Sequence, residues 1–296
     1  MQLRLSGHET FYPRERWLHK GLNEGNFYHS ANFMKEEETG PEYPTDYMGV
    51  GFNMVKSIRY WIGAFGLIMK NGSRNTVTPF ADHLLKFDPF LDRKQTMWIL
   101  HYNLITNDSG PTVWKWFFSH SDLFSFRKDN FISACRIWLD ANFQKSYSDR
   151  SLENDFSVMT AMYCSEEKKD LFYPSPFLSC EILKYNPHLK RYSRNKDLKI
   201  DIHIILYCIL LFRNRYFRDA GVLDLDHLRQ IPESPLRVFA LETDRIFELS
   251  EEIVPKIAKK VSFSRTAGIK TVSFSNLEET ELLNEIYRQE RVLSYI

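Results

Sequence analysis

A histidine, a glutamate and two arginines lie close together near the N-terminus, in the segment SGHETFYPRERW. His8 stands next to Glu9, and Arg14 and Arg16 follow shortly after. Imidazole and carboxylate groups can hold a metal ion, and a guanidinium binds phosphate through two hydrogen bonds. The cluster indicates a joint metal and phosphate site, with His8 and Glu9 as catalytic candidates. The alternative is a charged arm held by salt bridges, because neighbouring residues on a strand point to opposite faces.

A second acidic cluster lies in the segment DRSLEND. A predicted helix from Ser151 brings Asp149 and Glu153 together around its first turn. Metal-assisted phosphodiester cleavage needs convergent carboxylates that hold Mg²⁺ and activate water. We therefore predict Glu9, Asp149, Glu153 and Asp155 as Mg²⁺ ligands, and Asp155 also as a catalytic residue. Carboxylates in a first helical turn also stabilise the helix dipole, so capping alone is the alternative.

The clearest local pattern is a helix, a hairpin and a second helix. Apolar residues recur with helical spacing over residues 55–65, Asn71-Gly72 is a tight-turn signal, and Thr78-Pro79 is typical of a helix start. This order predicts a winged helix-turn-helix whose recognition helix begins near Gly51. The alternative is a solvated helix face used for protein contacts. The DNA-binding candidates are Arg14, Arg16, Asn53, Lys56, Arg59, Tyr60 and Arg74.

The rest of the chain is predicted to be mainly helical. Residues 173–176, with the sequence YPSP, break the pattern and separate a predicted N-terminal domain, 1–172, from a C-terminal domain, 173–296. A helix from Ser234-Pro235 to about Ser250 and alternating strands within residues 261–274 resemble a second, weaker winged helix. The predicted fold class is therefore mainly α with small β (α+β). A final charged helix, residues 277–291, offers a surface for a homodimer or a partner protein.

Two runs of basic residues have two interpretations each. Residues 190–196 (KRYSRNK) and 213–218 (RNRYFR) interleave arginine with aromatic residues, which suits a nucleic-acid backbone and stacked bases. The second run follows an apolar helix, where arginine also compensates the helix dipole. Both interpretations stay open.

Composition excludes several classes of protein. The chain has 296 residues, of which 43% are hydrophobic, a composition that indicates a globular protein. Its net charge is +1, so it has no overall basic field that would attract nucleic acid. The four cysteines have no metal-ligand spacing, which predicts buried free thiols. P-loop, GxGxxG, HExxH and GxSxG motifs do not occur, which gives no support to common ATPase, dinucleotide, zincin and hydrolase chemistries. The longest apolar run, residues 202–212, is too short to span a bilayer, and residues 1–17 lack the apolar region typical of a signal peptide. We therefore expect a cytoplasmic protein.

Three stretches resemble a bacterial family of SspB-like proteins, long labelled only as a domain of unknown function. They are SGHETFYPRERWLHKG, GVGFNMVKSIRYWIGAFGLI and TPFADHLLKFDPFLDRKQTMWILHYNL. The match is most specific over residues 8–118 and fades after residue 177. Members of the family accompany DNA phosphorothioation genes in antiphage defence.

The resemblance implies a Mg²⁺-dependent activity that nicks double-stranded DNA before sulfur is inserted. It also implies partnership with a cysteine desulfurase, an ATPase and an ATP-pyrophosphatase-like sulfur-transfer protein. It assigns no catalytic residues, so the site candidates rest on the residue patterns above. The alternative function is a non-catalytic winged-helix adaptor or regulator that binds DNA and recruits the modification machinery.

Overall fold

The computed structural model describes residues 2–23, 44–71, 74–164 and 173–293. Within these ranges the fold is mainly α-helical with three small antiparallel sheets, which confirms the predicted class. The chain divides into two compact units: Met1–Phe117 with Asp122–Arg194, and Phe118–Ser121 with Asn195–Ile296. Residues 173–194, which the sequence analysis placed in the C-terminal domain, pack within the first unit.

The first unit is a set of helices with two small sheets. The elements are α1 (Trp17–Asn23), α2 (Pro44–Met48), α3 (Phe52–Ala64), β1 (Ile68–Asn71), β2 (Arg74–Val77), α4 (Pro79–Phe87), α5 (Lys94–Thr106), α6 (Thr112–Lys115), β3 (Ser125–Phe126), α7 (Lys128–Asn142), α8 (Asp149–Tyr163), β4 (Leu183–Asn186) and β5 (Arg191–Arg194). Strand β5 lies between β3 and β4, and β1 pairs with β2 in a hairpin.

The predicted helix, hairpin and helix are present as α3, β1–β2 and α4. Gly66 follows α3 with a φ of 71°, a left-handed conformation that glycine adopts without strain. Thr78 caps α4, because its Oγ1 accepts a hydrogen bond from the Ala81 amide at 3.2 Å. The turn residues 72 and 73 and the Arg74 side chain lie outside the described part of the chain. The element order is as predicted, and the winged-helix assignment itself stays a prediction.

Aromatic side chains fill the core of the first unit. Trp114, Trp116 and Phe117 follow one another closely in the chain and are at most 3% exposed. Aromatic rings bury large apolar areas, so this cluster supplies much of the driving force for folding. Helix α1 also packs closely on α3: a Cβ added to Gly21 would lie 2.8 Å from Ile58 Cγ2 and 2.9 Å from Ile62 Cγ2. A glycine is therefore needed where these two helices meet.

The second unit is organised around one buried helix, α9. The residues of this helix are apolar on nearly every side. The unit also contains a three-stranded antiparallel sheet, in which the last strand in sequence lies between the other two. The elements are α9 (Ile202–Tyr216), β6 (Val222–Asp224), α10 (Leu225–Leu228), α11 (Pro235–Val238), α12 (Thr243–Leu249), α13 (Pro255–Ala258), β7 (Val261–Thr266), β8 (Ile269–Phe274) and α14 (Glu279–Leu293).

One predicted helix of the second unit is wrong in extent. The segment from Ser234 to Ser250 was predicted as a single helix, and it forms α11 and α12 instead. Ala240 breaks it with a left-handed φ of 52°, and the Leu241 amide donates back to the Leu236 carbonyl at 2.8 Å. The two predicted strands, residues 261–263 and 270–274, are confirmed and extend further, as β7 and β8.

Two expectations from composition can be compared with the packing. All four cysteines are buried free thiols, as predicted. Among the described residues, none of the helices combines the length and the apolar character that a membrane crossing requires.

Candidate nucleic-acid interface

An open cleft of about 450 Å³ lies on the first unit beside α3. Its charged lining residues are all cations: Arg4, Lys56 and Arg59. The remaining lining residues are Tyr60, Gly63, Ala64 and Ser109. A cleft with this lining concentrates positive potential where a phosphate could enter.

The amphipathic spacing of α3 creates this cleft. Val55, Ile58 and Ile62 are buried against the unit, as their spacing predicted. Lys56 and Arg59 are three residues apart and therefore lie next to each other on the opposite side. Burial lowers the pKa of Arg59 from its ordinary value, although a guanidinium remains protonated at any physiological pH.

The other DNA-binding candidates of α3 have different positions. Asn53 is exposed at the start of the helix and does not line the cleft. Tyr60 lines it and is partly buried, and burial together with the charge of Asp155 raises the pKa of its hydroxyl. Tyr60 is therefore a neutral hydrogen-bonding group at physiological pH. Ser57, next to Lys56 in the helix, is buried, and its Oγ donates to the Phe11 carbonyl at 3.4 Å.

Arg4 is a cleft residue that the sequence analysis missed. Its backbone pairs with Thr112 twice: the Arg4 amide donates to Thr112 Oγ1 at 2.8 Å, and the Thr112 amide donates to the Arg4 carbonyl at 3.0 Å. These bonds hold the N-terminal segment against α6 and bring Arg4 beside α3. The two partners are 108 residues apart. A contact between residues so far apart in sequence cannot be predicted from a local sequence pattern.

His8 and Asp155 form a buried pair behind this segment. His8 Nε2 and Asp155 Oδ1 are 2.9 Å apart, and both side chains are 0% exposed. The Thr10 amide donates to His8 Nδ1 at 3.2 Å, so Nε2 carries the proton that Asp155 accepts. The ring of His8 also stacks on Trp61, with the ring centroids 5.9 Å apart. The structure thus brings together two of the three predicted catalytic residues, in the interior of the unit.

Burial has the largest effect on the ionisation of Asp155. It raises the pKa of this carboxyl group, and the hydrogen bond and charge of His8 oppose that shift. The Ser6 amide also donates to Oδ1, at 2.8 Å, whereas the buried Oδ2 has no hydrogen-bond partner among the described residues. A carboxylate with this environment holds the loop that contains Ser6 and His8 in place.

The four predicted Mg²⁺ ligands do not converge. Asp149 pairs with Arg136 at 2.7 Å and Glu153 with Lys128 at 2.9 Å, and both acidic groups are exposed. Asp155 lies on the buried side of the same helix, since two residues correspond to more than half a turn. Glu9 is partly exposed and faces Lys56, with 3.9 Å between Oε1 and Nζ. Within the described ranges, no three His, Cys, Asp or Glu residues are grouped as a metal site would require.

Arg14 and Arg16 each contact aromatic rings. The Arg14 guanidinium carbon lies 5.7 Å from the Phe11 ring centroid, 5.2 Å from that of Trp17 and 4.8 Å from that of Tyr173. Arg16 lies 5.5 Å from the centroid of Phe90. These two arginines belong to the first unit and do not line the cleft.

Each basic run combines exposed residues with residues that have structural contacts. In the first run, Tyr192 and Arg194 are buried within the sheet of the first unit, so Tyr192 offers no free ring for a base. In the second run, Arg213 Nε donates to the Ala220 carbonyl at 2.9 Å and so closes the end of α9. This contact favours the helix-end interpretation of the second run.

The charged terminal helix is partly committed to its own unit. Leu282, Ile286 and Tyr287 of α14 are buried, and α14 packs on α9. Glu281 pairs with Lys260 at 2.7 Å. Arg288 is exposed, and the Arg291 side chain lies outside the described part. The outer side of α14 is what remains for a partner or a second copy.

Sequence and structure comparisons relate the chain to known proteins. The family described as "Protein of unknown function (DUF4007)" matches residues 5–287. The magnesium ion-bound SspB crystal structure has the same fold, with a TM-score of 0.83 at 22% sequence identity. A second SspB crystal structure gives a TM-score of 0.82 at 21% identity. Both alignments cover 98% of this chain and 88% of the other chain. No curated protein sequence matches the chain.

Proposed function

On the premise that this chain belongs to the DUF4007 family, we propose that it is a DNA-binding component of a bacterial phosphorothioation-based antiphage defence system. The observation that carries the proposal is the cleft lined by Arg4, Lys56 and Arg59. Contacts from arginine and lysine to phosphate supply most of the affinity in non-specific DNA binding and position a protein on the duplex. The SspB-like fold is consistent with a component of such a system.

The floor of the cleft suits the approach of a DNA backbone. Gly63 and Ala64 carry no side chain or only a methyl group, so a phosphate can come close to α3 between the flanking cations. A Cβ added to Gly63 would meet no atom within 4 Å, which means that this position opens into free space.

We predict that Lys56→Ala and Arg59→Ala weaken binding to a duplex and flatten its salt dependence by about one unit per lost phosphate contact. Fluorescence anisotropy of a labelled 20–30 base-pair duplex, measured over a range of salt concentrations, tests this. Lys184→Ala is the matched control, because Lys184 is an exposed cation of the same unit on β4. Unchanged affinity and slope in both cleft variants, with native circular dichroism, would contradict the proposal.

Gly63→Glu tests the same cleft by repulsion. The new side chain has room and a better helix propensity than glycine, so the fold is retained while a negative charge enters the phosphate site. Gly63→Gln is the neutral control of the same shape. We expect Gly63→Glu to weaken binding much more than Gly63→Gln, and equal effects would indicate steric blockage instead.

We further propose that the activity of this chain is Mg²⁺-dependent nicking of double-stranded DNA. In nucleases, Mg²⁺ neutralises phosphate charge and activates water. The predicted ligands Glu9, Asp149, Glu153 and Asp155 do not fit one shared ion, because they are dispersed and two of them are paired with surface cations. These four residues therefore do not support a catalytic step on a single shared metal ion.

We predict that the full-length protein converts supercoiled plasmid to open circles in Mg²⁺ and does not do so in EDTA. Because Glu9 is a predicted catalytic residue, we also expect Glu9→Ala to abolish nicking and to have little effect on DNA affinity. Nicking that persists in Glu9→Ala would remove Glu9 from the site and leave the activity standing. A plasmid that stays supercoiled in Mg²⁺, at protein concentrations that saturate the DNA, would contradict the nickase proposal.

The second candidate is a non-catalytic adaptor that binds DNA and recruits the modification machinery. The burial of both His8 and Asp155 favours it, since a group with no exposed atom cannot reach a phosphodiester without local opening. Its partners would be the cysteine desulfurase, the ATPase and the sulfur-transfer protein, with the outer side of α14 as a contact surface. Substitution of the exposed Arg288 is a cleaner test of that surface than deletion of α14, which would remove the buried Leu282 and Ile286 and uncover α9.

A further inference from the structure

The most exposed aromatic rings of the first unit have one property in common. In its described residues they are Phe52, Phe90 and Tyr173, which are 48%, 47% and 57% exposed. Each ring has a cation over it: Lys56 at 4.6 Å, Arg16 at 5.5 Å and Arg14 at 4.8 Å from the ring centroid, respectively. Exposed aromatic rings lose favourable burial, so three of them paired with cations call for a functional explanation.

Two of these pairs share one turn of the chain. Arg14 and Arg16 are two residues apart, and Arg16 has a left-handed φ of 61°, which lets the turn reverse just before α1. The turn is also fixed to the segment that contains Tyr173: Tyr12 Oη donates to the Tyr173 carbonyl at 3.2 Å, and the Glu15 amide donates to the Pro174 carbonyl at 3.3 Å. The pairs are therefore held in a defined geometry.

The same turn is joined to the helix that borders the cleft. Trp61 Nε1 donates to the Phe11 carbonyl at 2.9 Å, and Lys56 faces Glu9. The Arg14 Nε is buried and has no hydrogen-bond acceptor among the described residues, so aromatic rings, and not a carboxylate, hold this guanidinium in place. Its positive charge is therefore not neutralised by an ion pair within the described part of the chain.

We propose that the ring–cation pairs Tyr173/Arg14 and Phe90/Arg16 form a second nucleic-acid surface that binds unpaired nucleotides, with the bases stacking on the rings and the phosphates contacting the arginines. The proposal rests on the proposed function and deepens it, because it assigns single-stranded DNA to this surface and duplex phosphates to the cleft. Stacking is sequence-tolerant, since every base has a π-face. A duplex hides those faces, so this surface distinguishes unpaired from paired DNA.

The test compares labelled (dT)₂₀ with a 20 base-pair duplex, using fluorescence anisotropy of the full-length protein. Tyr173→Leu combined with Phe90→Leu should weaken (dT)₂₀ binding by about tenfold or more, because each stacked base contributes about 1–3 kcal/mol, and should change duplex binding less than twofold. Tyr173→Phe keeps the ring and should retain (dT)₂₀ binding. Leu189→Ala, which removes an exposed apolar side chain elsewhere in the unit, is the control.

The outcomes separate this proposal from that of the cleft. Unchanged (dT)₂₀ affinity in a folded Tyr173→Leu/Phe90→Leu protein overturns the stacking surface, whether or not Lys56→Ala and Arg59→Ala weaken duplex binding. Equal losses for (dT)₂₀ and duplex also overturn it, because the surface would then not select unpaired DNA. If the leucine variant unfolds, Tyr173→Phe against Tyr173→Leu alone decides: equal (dT)₂₀ affinity overturns the proposal.

Discussion

Asp155→Ala is expected to lower the free energy of unfolding by about 2–6 kcal/mol, because it leaves two buried donors without an acceptor at about 1–3 kcal/mol each. Asp155 Oδ1 accepts hydrogen bonds from His8 Nε2 at 2.9 Å and from the Ser6 amide at 2.8 Å. Alanine removes both acceptors and leaves two donors in a site that water does not reach. Each such donor carries its full desolvation penalty.

Asp155→Asn separates charge from hydrogen bonding. The amide oxygen of asparagine can still accept from His8 and Ser6, so the loss should be smaller, about 1–2 kcal/mol. Urea denaturation at pH 7.5 measures both variants. Glu153→Ala on the same helix removes an exposed ion pair and should change stability by less than about 1 kcal/mol. A stability of Asp155→Ala within 1 kcal/mol of the wild type would show that the pair does not support the fold.

The same variants decide how a loss of nicking is to be interpreted. The segment around His8 contains four non-glycine residues with left-handed φ, namely Ser6, Glu9, Thr10 and Arg16, and such backbone persists only where surrounding contacts impose it. Breaking the pair would release this segment and displace Arg4 from the cleft. If Asp155 has a catalytic role, Asp155→Asn loses nicking while it keeps DNA affinity; if its role is to position the segment, activity and affinity decline together.

The parts of the fold that could be predicted are those with local signals. The helical spacing within residues 55–65 and the Thr78-Pro79 pair set the limits of α3 and α4 through contacts of a few residues. The same spacing placed Lys56 and Arg59 on the polar side of α3, where they line the cleft. Local backbone chemistry was sufficient for each of these.

The remaining site features depend on contacts that no local pattern encodes. Arg4 reaches the cleft through Thr112, and His8 meets Asp155 across 147 residues of sequence. The grouping of Asp149, Glu153 and Asp155 was inferred from closeness in sequence, whereas the helical period places Asp155 inside and the other two outside. Sequence distance and spatial direction are different quantities on a helix, and tertiary packing decides which face is buried.

Acid is expected to destabilise the first unit through His101. This residue of α5 is fully buried, and its Nδ1 lies 2.7 Å from the Tyr163 hydroxyl oxygen, within hydrogen-bond distance. Burial, with a smaller contribution from Arg194, lowers the pKa of His101 to about 3. The unfolded chain, with an ordinary histidine pKa of about 6.5, therefore binds the proton first as the pH falls.

The sign and range of the effect follow from that difference. Stability due to the neutral His101 is complete above pH 6.5 and is lost progressively between pH 6.5 and about 3, by up to about 1.4 kcal/mol per pH unit. Asp155 opposes part of this trend, because burial raises its pKa. His101→Gln keeps Asp155 and removes the titrating imidazole, so comparison of the two proteins isolates His101.

Urea denaturation at pH 7.5, 6 and 5 measures the effect in the relevant unit, since all six tryptophans lie within residues 17–138 and their fluorescence reports on the first unit. We expect the wild type to lose stability steadily over this range and His101→Gln to lose about 1–2 kcal/mol less between pH 7.5 and 5. Glutamine can still form a hydrogen bond with the Tyr163 hydroxyl, so the variant should fold. Parallel pH profiles for the two proteins would mean that His101 becomes protonated in the folded state, which its complete burial opposes.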